Sequence, residues 1–302
     1  MKCMAGDGAS VLDVTCVVEA GNYLGETPFW SAAEQALYWI NCEKPAEIHR
    51  WSPSSDQHSV WPMPKRVGGF VFKATGGLLV VLADGLYDFD PATRHLALRA
   101  STELPEHVSL HECQTDRQGR LWVGSFDHHY PADRSTADGF LFQFNGKSLE
   151  AVIDKVTISN GLACSPDGTV LYAVNTRDNA VDAFDLDPVN GALSNPRRFF
   201  SVPREVGFCD GAAVDCEGGY WSAIVGSGTL RRYLPDGTLD RTIVLPFSNP
   251  TKPAFGGEDL GTLYVTSTRM AIKSDAPGYA ANGGVFALRP GVAGMPETLF
   301  AG

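Results

Sequence analysis

Six short apolar runs recur along this chain, and their spacing constrains the fold more than any other feature. They are Leu37-Tyr38-Trp39-Ile40, Leu78-Leu79-Val80-Val81, Leu121-Trp122-Val123, Leu171-Tyr172-Ala173-Val174, Tyr220-Trp221-Ser222-Ala223 and Leu263-Tyr264-Val265. Successive runs lie about 41 to 50 residues apart, the period of four-stranded propeller blades. A segment rich in Gly, Asp or Ser precedes each, as in Asp116-Arg117-Gln118-Gly119, Ser165-Pro166-Asp167-Gly168 and Asp215-Cys216-Glu217-Gly218. Such residues make tight turns and accept positive φ, so each reads as a hairpin into a core strand. A third, aromatic-rich strand follows, for example Leu86-Tyr87-Asp88-Phe89 or Val181-Asp182-Ala183-Phe184. No helical stripe of three turns is present. The pattern predicts an all-β chain: a six-bladed β-propeller of four-stranded antiparallel blades around a central channel. One blade cannot bury both of its faces, so the copies should form one cooperative domain over 1–302, with 1–11 as a flexible N-terminal tail. Residues near Leu12 to Ala20 precede the first full repeat and are expected to pair with the last blade, which would remove an exposed edge.

Charge and cysteine usage narrow the setting. A net charge of −11 without a basic run argues against a nucleic-acid groove. The N-terminal Met1-Lys2-Cys3-Met4-Ala5-Gly6-Asp7 lacks the apolar stretch of a signal peptide, and no segment approaches membrane-spanning length. The seven cysteines are odd in number, scattered, and form no Cys-x-x-Cys pair, which fits a reduced cytoplasm. A cytoplasmic monomer or weak oligomer, with a small-molecule partner and neither nucleic acid nor membrane, is the expectation.

In a propeller the innermost strand of each blade begins at one mouth of the channel. Counting back ten or eleven places from each core run gives Glu26, Gly68, His111, Asn160, Asp210 and Lys252. This ring is polar although its strands are destined for a core, and such groups need a shared partner. A cation suits Glu26, Asn160 and Asp210, because two carboxylates and an amide oxygen make an oxygen-rich site. These ligands fit Ca²⁺, Mg²⁺ or Mn²⁺ and do not exclude Zn²⁺ or Fe²⁺. Coordination places left over would serve water or substrate.

At these residues the chain resembles the gluconolactonase/regucalcin (senescence marker protein) family, which includes luciferin-regenerating enzymes. The resemblance is carried by Gly25-Glu26-Thr27-Pro28-Phe29-Trp30, Ser159-Asn160-Gly161-Leu162, Ser165-Pro166-Asp167-Gly168 and Asp210-Gly211-Ala212-Ala213-Val214-Asp215. Thr251-Lys252-Pro253-Ala254-Phe255-Gly256-Gly257 adds the last-blade pattern. The resemblance implies one divalent metal in the channel of a six-bladed propeller that hydrolyses sugar lactones to aldonic acids in carbohydrate catabolism. Glu26, Asn160 and Asp210 match its metal ligands, and Asp210 matches the residue assigned as proton donor or acceptor. The implied chemistry is metal-assisted ester hydrolysis, with Asp210 taking a proton from attacking water and returning one to the departing ring oxygen. No Gly-x-Ser-x-Gly elbow supports a serine nucleophile.

The third blade departs from the family pattern. His111 stands where a substrate-contacting Asn is expected, Ser109 where an Arg is expected, and His129 where a Glu binds substrate in some members. Ser109, His111 and His129 are therefore taken as substrate-binding positions, for a lactone whose polar groups differ from those of gluconolactone. An imidazole at 111 also suits a metal, and the sequence leaves both roles open. A plainer reading pairs His111 with Glu112. Lys252 reads as a clamp on a channel carboxylate, Arg269 as solvated, and Cys209 and Cys216 as packed thiols. Two further functions compete: a metal-dependent esterase acting on organophosphates or other lactones, favoured by the altered third blade, and a non-enzymatic cation-binding propeller, disfavoured by the polar ring.

Overall fold

The computed structural model describes residues 12–275 and 278–302. The tail expected at 1–11 lies outside the described residues. Strand β1 (Thr15–Val18) comes first, and five consecutive blades follow it. Blade one is β2 (Gly25–Ser31), β3 (Ala36–Asn41), β4 (Glu47–Ser52) and β5 (Gln57–Pro62). Blade two is β6 (Val67–Phe72), β7 (Leu78–Leu82), β8 (Gly85–Asp90) and β9 (His95–Ser101). Blade three is β10 (Val108–Thr115), β11 (Leu121–Asp127), β12 (Gly139–Phe144) and β13 (Leu149–Val156). Blade four is β14 (Ser159–Cys164), β15 (Val170–Asn175), β16 (Ala180–Leu186) and β17 (Leu193–Ser201). Blade five is β18 (Phe208–Val214), β19 (Tyr220–Val225), β20 (Thr229–Tyr233) and β21 (Leu239–Val244).

The sixth blade contains β22 (Pro250–Gly256), β23 (Thr262–Ser267) and β24 (Val285–Leu288), and its outer strand is β1. Thr15 pairs with Ala287 and Cys16 with Phe286, antiparallel. The ring is thus closed by the chain's beginning, as the sequence predicts. One 3₁₀ turn, Tyr279–Ala281, is the only helical element among the described residues, and no helix there is long and apolar enough to cross a membrane.

Strand alternation explains why the six runs are apolar throughout. Successive side chains of a strand face opposite sides, and each side of a blade meets a neighbouring blade. Tyr38 and Ile40 pack with Phe70 and Val80 of blade two, while Leu37 and Trp39 pack with Tyr264 of blade six. Likewise Tyr220 joins Tyr172 of blade four, and Trp221 joins Leu263 and Val265 of blade six. Trp39, Trp122 and Trp221 are fully buried in this way.

The Asp-x-x-Gly hairpins share one construction. Asp116 Oδ1 accepts from the backbone N–H of Gln118 and Arg120, and Oδ2 accepts from Trp122 Nε1 (3.1 Å) and Arg120 Nε (2.7 Å). Asp215 repeats it with Glu217 and Gly219 backbone, Trp221 Nε1 (2.8 Å) and Arg232 Nε (2.7 Å). The turn is thereby tied to the tryptophan of the strand it introduces.

Candidate active site at the channel mouth

All six inner strands carry the same irregularity. The register against the second strand shifts between Glu26 and Phe29, Val67 and Gly69, Leu110 and Cys113, Asn160 and Ala163, Cys209 and Ala212, and Pro250 and Pro253. Each shift falls at or beside the ring residue of that blade. A bulge bends a strand and re-aims its side chains, so the repeated bulge turns the ring into the channel. Thr27 (φ 46°) and Gly161 (φ 62°) take left-handed backbone there. A Cβ on Gly161 would stand 2.5 Å from Tyr220 Oη, whose hydroxyl donates to the Gly161 carbonyl at 2.9 Å. Tyr220 therefore holds the segment that presents Asn160.

Glycines elsewhere in the ring allow close approach. A Cβ on Gly68 would meet the His111 Cα at 2.7 Å, so blade three can approach only because blade two has no side chain here. Gly211 leaves room for the stem of Lys252, which would sit 2.5 Å from a Cβ. Lys252 crosses to blade three and donates to Glu112 Oε1 at 2.5 Å. The clamp read from the sequence is present. Glu112 Oε2 also accepts the Leu162 N–H at 3.0 Å, tying blade four to the same carboxylate. Glu112 thus pairs with Lys252 and not with His111.

The electrostatics of the ring are dominated by burial. Glu26 is only 4% exposed, and its Oε2 accepts just the Thr27 N–H at 3.0 Å. Burial first, then repulsion from Glu112, push its carboxyl up from 4.5 to about 7 despite Lys252. Asp210 is part-exposed, and burial together with Glu26 and Glu112 holds it well above the usual carboxylate range. Among the described residues no cation lies within 4.0 Å of Glu26 or Asp210. Three carboxylates, those of Glu26, Glu112 and Asp210, thus surround one ammonium. Carboxyls outnumber this ammonium, and a divalent cation would favour their ionised forms. The donor set of Glu26, Asn160 and Asp210 fits such an ion.

His111, 4% exposed, is pushed well below 6.5 by burial, then by Arg66, His128 and Lys252, although a hydrogen bond to Asn160 acts the other way. It is neutral. Ser109 lies one strand step nearer the edge, and its Oγ sits 2.9 Å from His128 Nε2. Arg66, in the connection before β6, reaches into the same corner. Its Nη1 donates to Leu110 O (3.3 Å) and contacts Ser109 Oγ (3.5 Å), and its Nη2 lies 3.3 Å from His111 Nδ1. The guanidinium that blade three lacks is therefore supplied by blade two. The signal was in the register: Arg66 precedes Gly68 by two places, as Ser109 precedes His111.

His129 is exposed and stacks on His107, ring centroids 4.0 Å apart and 3° from parallel. With Asp127 these two histidines bring three potential ligand atoms within 4.8 Å of one another. Flat-stacked imidazoles aim their lone pairs along parallel planes, and Asp127 is engaged by the N–H groups of His129 (2.9 Å) and Asp138 (3.2 Å). Neither feature favours a cation there. Two sequence expectations are corrected. Arg269 is only part-exposed and is held in place: its Nε donates to Asn282 O at 2.8 Å, Nη1 to Gly21 O at 3.4 Å, and the guanidinium lies over Tyr279, because the sixth blade's long loop folds back on it. Cys209 is buried as expected, but Cys216 is exposed, since it occupies the tip of a hairpin.

At the far end of the inner strands the C-terminal segment crosses the channel. Met295 and Glu297 line a small cavity beneath Lys252, together with Thr27, Cys113 and Leu162. Thr298 O accepts from Thr115 Oγ1 at 2.5 Å, and Phe300 pairs by backbone with Phe72 and Ala74. Lys252 and the bulge residue Thr27 border this cavity from the ring side.

Comparison with known proteins agrees with this architecture. The chain is 36% identical over 293 residues, 95% of its length, to 98% of the 6-deoxy-6-sulfogluconolactonase of Pseudomonas putida. It is 31% identical to the L-arabinolactonase of Azospirillum brasilense, covering 95% of each chain. The solved structure of regucalcin from Agrobacterium tumefaciens, described as a calcium-binding protein, superposes with a TM-score of 0.89 at 28% identity, over 96% of this chain and 97% of that one. Residues 24–269 match the sequence profile of the SMP-30/gluconolactonase/LRE-like region, and the chain belongs to that family.

Proposed function

We propose that this protein is a divalent-cation-dependent lactonase that opens a sugar lactone to its aldonic acid. The observation that carries the reading is the ring itself: buried carboxylates from two blades and an amide from a third face one channel mouth with no cation of their own within 4.0 Å among the described residues. The relatives named as lactonases for sulfogluconolactone and arabinolactone support the reaction class.

Glu26, Asn160 and Asp210 would hold the ion, which when bound supplies Lewis-acid stabilisation of charge developing on the lactone carbonyl. Asp210 is the proton carrier. Its carboxylate, kept ionised by the bound cation, takes the proton of the attacking water and returns one to the ring oxygen as it leaves. Glu112 and Lys252 fix the separation of blades three, four and six around it. His111 acts on substrate. An Arg nitrogen only donates, so Nδ1 of the neutral ring must accept from Arg66, which leaves the proton on Nε2. A protonated Nε2 does not ligate metal; its proton goes to Asn160, so His111 meets the substrate beside the amide it orients.

Asp210→Asn is the test. With circular dichroism and the unfolding midpoint showing an intact fold, turnover of a lactone panel should fall by about a hundred- to ten-thousandfold. Wild-type activity should vanish with EDTA and return with a divalent cation, each measured against spontaneous ring opening at matched pH. Undiminished turnover in the folded variant would remove Asp210 from the mechanism.

A further inference from the structure

The corner occupied by Arg66 holds a guanidinium beside the catalytic ring with no carboxylate in direct contact. Arg66 is half-buried, and no carboxylate lies within 4.0 Å of its guanidinium among the described residues. Its three polar contacts are a carbonyl, a hydroxyl and a neutral imidazole nitrogen, which leave Nε–H and one N–H of Nη2 unused. The plane is braced by Phe126, 5.3 Å from the guanidinium carbon, and Phe126 is flanked by His111 (5.4 Å) and His128 (4.7 Å). Three nitrogen-bearing side chains thus share one aromatic platform, and Ser109 bridges Arg66 to His128. Glu43 belongs to the same mouth, since it acts on His128, but it pairs with Lys44 at 4.0 Å. Some half-buried arginines of this chain find carboxylates, as Arg50 does with Glu34 and Arg120 with Asp116, whereas Arg269 is met by carbonyls.

We propose that this corner binds an oxyanion substituent of the substrate, so that the lactone carries a sulfonate, phosphate or carboxylate on the part of the molecule remote from the ring ester. This rests on the lactonase reading and deepens it. Arg66 offers two parallel N–H donors to such a group, and the hydrogen-bonded pair Ser109 and His128 adds one neutral donor. A sugar hydroxyl could satisfy one of these donors, but it would leave the guanidinium charge unanswered.

Two measurements on the full-length, cation-loaded protein test the proposal. In the first, kcat/KM is compared for gluconolactone and for its analogues bearing a 6-phosphate, a 6-sulfonate or a terminal carboxylate. At least one anionic lactone should exceed the neutral one by about ten- to a hundredfold, the order of one charge-assisted contact set, and Arg66→Gln should collapse that ratio. Which arm responds identifies the oxyanion. In the second, calorimetry measures binding of gluconate, 6-phosphogluconate, 6-sulfogluconate and glucarate, which needs no turnover. A dianionic acid should bind about tenfold or more tighter than gluconate, and Arg66→Gln should erase the difference. Wild type that favours the neutral compound in both assays, or a variant that lowers all members by one common factor, overturns the anion site. Absence of hydrolysis with the calorimetric preference intact would instead sink the lactonase reading and leave the anion site standing.

Discussion

Glu26 shows how a single carboxyl can report whether the ring was built for an ion. Its folded-state value is raised above 4.5, to about 7, by burial and by Glu112. Below pH 4.5 both folded and unfolded chains carry the proton, so its contribution to stability is fully present. As pH rises toward 7 the unfolded chain releases the proton while the folded one keeps it, and stability is lost through that window, by a few kcal/mol at most. In EDTA the unfolding midpoint of wild type minus that of Glu26→Gln should therefore fall between pH 4.5 and 7, and a divalent cation should reverse the trend. A flat difference that ignores the cation would mean the carboxyl is not part of an ion site. Glu26, Asn160 and Asp210 were legible in the sequence because they hold equivalent places in three repeats. Glu112 and Arg66 were not ranked there. Glu112 neighbours a ring residue and should by strict alternation face away, but it lies inside the blade-three register shift, and Arg66 acts on a neighbouring blade that only the folded ring brings near.

At the level of the hairpin, the same Asp-x-x-Gly motif is set in two environments, and they should differ in cost. Asn in place of Asp keeps one acceptor and converts the other to a donor, which must face either the turn N–H groups or the indole N–H. In blade five the displaced partner is Arg232, whose side chain is 3% exposed, although Glu217 and Asp240 also hold it. In blade three it is Arg120, 20% exposed and open to water. Asp215→Asn should cost about 3 kcal/mol and Asp116→Asn about 1–2 kcal/mol. Denaturant midpoints measure the order, and the reverse order would show that the buried guanidinium is not what Asp215 stabilises. These turns were readable from Gly and Asp spacing alone because their hydrogen bonds are local. The six bulges were not readable, since a bulge is a property of two strands and each half looks regular.

Across the whole molecule the two chain ends do different work. β1 completes the sixth blade, while the C-terminal segment leaves that blade and crosses the base of the channel to blades two and three. Phe300 is its anchor: 3% exposed, 5.9 Å from Phe144 and under the Arg99 guanidinium at 5.4 Å. The closure by β1 was foreseeable from leftover length before the first repeat. The crossing was not, because 290–302 has no repeat signature and its partners lie in distant blades. If the segment is a brace and not part of the chemistry, stability and turnover should separate. Phe300→Ala removes a buried ring and should cost about 3–5 kcal/mol, seen as a lowered unfolding midpoint. Lactone turnover, measured well below that midpoint, should stay within about twofold, because the bulges that set Glu26, Asn160 and Asp210 are stabilised by contacts such as Tyr220 to Gly161 in which Phe300 takes no part. A folded Phe300→Ala protein with collapsed turnover would show instead that the base of the channel sets the ring, and that the propeller transmits strain along its inner strands.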